Sequence, residues 1–194
     1  LDNFMPEHEF LELKDIMMSN NFPWFYVEDV SLPPEDRHFV KDDLALETDG
    51  FYHTLYDRES KQESFAHNLL RKFYQQVVEQ LGYTSDHLIR SRMSLKLPKI
   101  GFTPENYNLP HVDYYYPHTS MIFYINDSDG DTRMFEQIFT ENNPERNKFN
   151  VQHRISPKAN RLVVFNGLQY HTASNPFLFS RRVIININFE SLCD

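Results

Sequence analysis

The chain has 194 residues, a formal charge of −9, 40% hydrophobic and 15% aromatic residues, which is the make-up of one globular domain over residues 1–194 and excludes a disordered chain. A chain of this length buries well over half of its unfolded surface, so it needs no disulfide or structural metal to fold. The acidic balance argues against a sequence-independent grip on nucleic acid, which depends on clustered Lys and Arg, and no apolar run approaches the roughly 20 residues that span a bilayer.

The opening "LDNFMPEHEF" is acidic and carries no signal-peptide pattern. From Pro6 to about Asn20, Phe10, Leu13 and Met17 fall at helical spacing, and Pro6 suits a first helical turn. "WFYVEDV" and "GFYHTLY" read as strands around a proline-rich turn, "SLPPEDR". From about Glu63 to Leu81, Phe65, Leu69, Phe73, Val77 and Leu81 recur every four residues, and Gly82 stands where a helix commonly ends. The first part, 1–87, thus supplies helices and a few strands as support.

From 88 onward the pattern is strands. In "LIRSRMSLKL" the residues Ile89, Ser91, Met93, Leu95 and Leu97 share one face, and Arg90, Arg92, Ser94 and Lys96 the other. The commoner meaning of such a polar face is solvated sheet surface; the alternative is contact with an acidic or hydrogen-bonding ligand. "TSMIFYIN", "TRMFEQIF", "VQHRI", "RLVVFN", "QYHTA" and "RRVIININFE" follow, joined by the turn "DSDGD" and the polar loop "TENNPERNKFN", which is either a lid or an ordinary connection. Helices followed by many short strands predict an α+β, mainly β fold: a double-stranded β-helix (jelly roll) with N-terminal helices packed on one sheet. The lone cysteine, Cys193, precludes an internal disulfide and fits a reducing, cytoplasmic setting.

The chemistry centres on "NLPHVDYYYPH". His111 and Asp113 stand two apart, and on extended backbone such residues point the same way. With His171 of "QYHTA" they form two histidines and a carboxylate, the facial set that leaves open positions on iron(II). Taken alone, His-x-Asp in a chain with nine histidines is a weak signal. The last strand strengthens it. Arg182, Ile184, Asn186 and Asn188 face one way, while Val183, Ile185, Ile187 and Phe189 form an apolar face suited to packing against helices. Arg182 on the polar face can offer its fork to a carboxylate; without the three metal-ligand candidates, a surface arginine pair guarding the strand end would be the better reading. Tyr124 is either a partner for that carboxylate or a core tyrosine bonded to backbone. Among Tyr114, Tyr115 and Tyr116, an aromatic lip or plain packing is equally open, and Arg92 and Tyr115 are the candidate substrate contacts.

In order, "PHVD", "FYINDSDGDTRMF", "SPKANRLVVFNGLQYHTASNP" and "SRRVIININF" resemble the iron(II)- and 2-oxoglutarate-dependent dioxygenases, especially the prolyl 4-hydroxylase-like branch, over roughly 88–190. The resemblance implies His111, Asp113 and His171 as iron ligands, with Tyr124 and Arg182 (Arg181 as the alternative anchor) on the far carboxylate of 2-oxoglutarate. Both arginines stand at spacings the family uses, and the face argument favours Arg182. It also implies iron(II), 2-oxoglutarate and O2 as the reacting set, a jelly-roll core at 88–194, and a peptide, prolyl or small-molecule substrate hydroxylated with release of succinate and CO2. The sequence departs from the animal-type branch in carrying arginine for lysine at the anchor and Asp129-Gly130-Asp131-Thr132 for Gly-Gly-x-Thr. Asp113 itself distinguishes the chain from halogenating relatives, which carry a small residue there. Two other classes compete: a metal-dependent hydrolase on the same three ligands, and a non-catalytic jelly-roll binding module.

Overall fold

The computed structural model describes residues 1–28, 42–46, 49–141 and 149–191. The "SLPPEDR" turn, most of the 140–150 loop with its expected lid role, and Cys193 lie outside these. Among the described residues no helix is long and apolar enough to cross a membrane.

The chain is mostly β. A large antiparallel sheet runs β1 (Phe25–Val27), β3 (Gly50–Asp57), β5 (Leu88–Lys96), β12 (Arg182–Glu190), β7 (His118–Tyr124) and β10 (Arg161–Asn166), with β4 (Gln62–Glu63) paired to β3. A small antiparallel sheet is ordered β11 (Gln169–Ala173), β8 (Thr132–Ile138), β9 (Val151–Ile155). Two residues each of β2 (Ala45–Leu46) and β6 (Tyr107–Asn108) pair in parallel. Non-consecutive neighbours such as β5–β12–β7 mean that the chain crosses back and forth between the sheets.

Two helices, α1 (Glu7–Met17) and α2 (Arg71–Leu81), cover the outer face of the large sheet. Phe10, Leu13 and Met17 of α1 and Phe73 and Val77 of α2 join Met93, Met121, Phe123, Ile185 and Ile187 from the strands in one buried cluster. Each such fully buried side chain stabilises the fold by about 1.5–3 kcal/mol before entropy is charged against it. The apolar face expected of β12 is this helix-covered face.

The helix boundaries differ from the sequence expectation. Pro6 caps α1 from outside it, with ψ of 134°, rather than opening its first turn. The second helix begins as a 3-10 turn over Phe65–Leu70, entered through Ser64, whose Oγ accepts from the Ala66 amide at 3.1 Å. Three residues per turn shift the stripe that a period of four requires. Ala66 and Leu70 therefore turn inward, and Phe65 is left 72% exposed. Gly82 ends α2 with φ of 76°, as expected of a left-handed C-cap.

Candidate metal and anion site

The inner faces of the two sheets line one narrow pocket of about 50 Å³, with Tyr52, Arg92, Ser94, Lys96, Arg182 and Asn186 on one wall and His111, Thr132 and His171 on the other. The polar face of β5 therefore is not solvated surface, the commoner reading of its pattern. Ser94 and Lys96 are buried. A second sheet across the cavity, invisible to a strand's own periodicity, is the reason.

His111 and His171 are brought together by backbone. Pro110 keeps the approach extended, and each histidine amide donates to the other's carbonyl at 3.0 Å. Thr172 Oγ1 adds a bond to the Asn108 carbonyl at 2.8 Å, and a register shift between Gln169 and His171 re-aims the strand at this point. Each ring lies with Nδ1 against a carbonyl, Leu109 for His111 at 3.1 Å and Gln169 for His171 at 3.2 Å. Donation by Nδ1–H fixes the neutral tautomer whose free lone pair is on Nε2. His171 Nε2 is buried without a partner among the described residues. Burial, reinforced by the neighbouring His171, pulls the His111 pKa down to about 4, so its imidazole is neutral at pH 7.

Asp113 completes the group, with one ligand atom from each of the three residues lying within 4.8 Å of the others. Its Oδ2 lies 3.8 Å from His171 Nε2. Arg90 donates to Oδ1 at 3.1 Å, Asn188 and Ser120 to Oδ2 at 2.8 and 3.2 Å, and Asn186 reaches both oxygens at 3.3 and 3.2 Å. Burial alone would raise the carboxyl pKa, but His171, Arg90, His111 and the Asn188 amide outweigh it and hold Asp113 far below the usual carboxylate range. The result is an ionised oxygen and two imidazole lone pairs converging in a dry site, a donor set suited to a divalent transition metal. The longest of these is the Asn186 contact to Oδ1, at 3.3 Å.

Arg182 is the second charged feature, only 1% exposed. Its Nε donates to the Gly130 carbonyl at 2.7 Å and its Nη2 to Thr132 Oγ1 at 2.9 Å. Tyr124 hydroxyl meets the same Thr132 oxygen at 2.6 Å, so Tyr124 is neither bonded to backbone nor lining the pocket; it stands behind Thr132. Arg181, the alternative anchor, does not line the pocket. Its carbonyl accepts from Asn126 instead. Register places Lys96 directly opposite Arg182. Burial first, then Arg182, depresses the Lys96 pKa well below its ordinary value.

The departure at Asp129 has a structural reason. Its carboxylate accepts from the amides of Phe177 and Leu178 at 2.9 and 2.6 Å, while the Ser174 amide donates to the Asp131 carbonyl at 2.8 Å. These bonds lock two loops together and seat Gly130 against Arg182. Of the remaining candidates, Arg92 lines the pocket and Tyr115 does not. Tyr115 is 50% exposed, its ring 4.8 Å from Phe139. Sequence reading missed the Arg90–Asn186–Asn188 cage; the polar alternation of β5 and β12 carried the signal, but their pairing was needed to see it.

No protein-family model matches the chain, and no curated protein sequence does. Solved structures do. A 2OG-Fe(II) oxygenase family oxidoreductase from Burkholderia pseudomallei superposes with a TM-score of 0.58 at 14% identity, covering 97% of this chain and 82% of that one. The chain has the fold of a 2-oxoglutarate/iron(II) oxygenase. A prolyl-4-hydroxylase from Pseudomonas putida matches at 0.51 and 14% identity over 99% of this chain and 91% of that one. The non-heme α-ketoglutarate-dependent epimerase SnoN of nogalamycin biosynthesis matches at 0.57 and 12% identity over 98% and 77%. Oxygenase folds of such different reactions superpose on this chain about equally well, so likeness of fold does not choose a reaction.

Proposed function

We propose that the chain is an iron(II)- and 2-oxoglutarate-dependent oxygenase that hydroxylates an unactivated C–H of a peptide or small-molecule substrate. The large and small sheets would be the two halves of a double-stranded β-helix over 88–194, supported by 1–87. The observation that carries the reading is the convergence of His111, Asp113 and His171 within 4.8 Å, with both histidines lining the pocket that buried Arg182 also lines.

The residues fit the absent groups. His111, His171 and Asp113 would hold iron(II), and Arg182 with Thr132 would hold the far carboxylate of 2-oxoglutarate, with Tyr124 bracing Thr132. When bound, that pair supplies the oxidation: with O2, 2-oxoglutarate goes to succinate and CO2, and one oxygen atom enters the substrate C–H bond. The protein's contribution is orientation and dryness. Nδ1 contacts to Leu109 and Gln169 fix both imidazoles, four donors aim Asp113, and the sheets exclude water from Arg182. A hydrolase on the same ligands would have no use for Arg182, and the carboxylate at this site, Asp113, already belongs to the three-ligand group. A non-catalytic module would have no use for a dry anion anchor beside three converging ligands.

The test is anaerobic visible spectroscopy of the apoprotein titrated with iron(II) and then 2-oxoglutarate. A weak charge-transfer band that needs both additions and disappears in His171→Ala is the expected result. Iron binding without the band would remove 2-oxoglutarate from the reading.

A further inference from the structure

The wall between the inner pocket and the outside is made by Tyr52 and Arg92, which line both the pocket and an adjoining groove of about 540 Å³. The inner space is a tenth of that and is taken up by the proposed cosubstrate, so a substrate must place most of its bulk in the groove. Pro23, Phe25, Val27 and Phe65 give the groove apolar walls, with His53, Thr54, Gln62 and Ser64 among the polar positions.

Arg92 stands at the junction with its guanidinium 3.9 Å over the Tyr52 ring. That stacking satisfies the face of the cation and leaves its edge donors to be matched. Thr54 and Asn186 are its neighbours in register on either side. No acidic side chain lines either the pocket or the groove among the described residues. Asp113, the nearby carboxylate, is already paired with Arg90. Asp113 attracts Arg92 from nearby, but no carboxylate among the described residues is hydrogen-bonded to it, so a largely buried guanidinium keeps donors that a ligand's carboxylate can match. The Arg92 fork suits a carboxylate, whose two oxygens accept in parallel.

We infer that Arg92 receives a carboxylate on the primary substrate, whose apolar or aromatic body lies in the groove between Phe25 and Phe65. This deepens the oxygenase reading and rests on it for the word substrate. The carboxylate end of the molecule is thereby held beside the metal ligands, so the carbon presented for oxidation is one close to that group. The sites for the two carboxylic acids are separate: Arg182 takes the cosubstrate and Arg92 the substrate.

The test uses phenylacetate, 3-phenylpropionate and N-acetylphenylalanine, each paired with its primary amide. Binding is followed by ligand-observed NMR on protein loaded with zinc and saturating 2-oxoglutarate, and on the apoprotein. At least one acid is expected to bind about tenfold more tightly than its amide, the scale of one charge-assisted pair. Arg92→Gln is expected to abolish that preference and Arg92→Lys to keep part of it. The inference is overturned if no acid outbinds its amide, if Arg92→Gln folds and retains the preference, or if extra 2-oxoglutarate displaces the acid, which would place it on Arg182. Should Arg92→Gln fail to fold, the acid–amide comparison on the unaltered protein still decides. A preference that depends on Arg92 in a protein lacking the charge-transfer band would support the groove and sink the oxygenase reading; a band without the preference does the reverse.

Discussion

Thr132→Val is the substitution that most directly probes the buried Arg182–Thr132–Tyr124 cluster, the proposed anchor for 2-oxoglutarate. The variant keeps the branched shape and removes one oxygen, which accepts from Arg182 at 2.9 Å and shares a 2.6 Å hydrogen bond with the Tyr124 hydroxyl. Both side chains are buried. A hydrogen bond from a charged donor contributes about 1.5–3 kcal/mol, so orphaning the Arg182 Nη2 predicts a loss of about that size. Spread over a chain of this size, that is a fall in melting temperature of roughly 2–4 °C per kcal/mol. The assay is urea unfolding of the apoprotein with chelator present, read as a shift in midpoint at constant slope. Thr132→Ser, which restores the oxygen, is expected to recover most of the loss. Affinity for 2-oxoglutarate is expected to fall in the same variant, because Arg182 loses one of its two fixed bonds. A Thr132→Val protein within about 0.5 kcal/mol of the parent would refute the account of Thr132 as the shared partner.

Other expectations follow from the same geometry. A β-carbon on Gly130 would lie 2.6 Å from the Ser174 carbonyl oxygen and 3.0 Å from Arg182 Cδ; Gly130→Ala is therefore expected to cost about 1–3 kcal/mol by overpacking and to weaken 2-oxoglutarate binding, checked by thermal melting and titration calorimetry. His111 has its pKa pulled down to about 4 by burial, with His171 adding to it, so the unfolded chain binds the extra proton first. Its contribution to apoprotein stability is full above about pH 6.5, declines as pH falls towards 4, and reaches about 3 kcal/mol of loss below that. His111→Gln should flatten that part of the pH profile of urea midpoints; an unchanged profile counts against a buried neutral His111. A divalent metal at about a hundred times its dissociation constant should stabilise the parent by about 2.7 kcal/mol. His171→Ala should show almost none of this in a melting scan with added zinc or cobalt.

What the sequence determined, and what it could not, divides along contact range. Local periodicity was enough for α1, for the strands of the second half and for the two faces of β12, because each face is set by the geometry of its own backbone. It failed at Phe65, where a 3-10 turn entered through a Ser64 capping bond stands in place of the expected α-helix. Alternation on a strand sends neighbours to opposite sides, and of the two arginines it is Arg182 that lines the pocket. The polar face of β5 was the costliest ambiguity. Arg90, Arg92, Ser94 and Lys96 alternate as a solvated strand would, and only the small sheet lying across from them turns that face into a cavity wall. The site itself is a tertiary object. His111 and Asp113 are near in sequence, but His171 joins them through a backbone bridge, and the donors that orient Asp113 come from β5, β7 and β12. A sequence can name the residue types that a chemistry requires; the distances between them exist only once distant strands have paired.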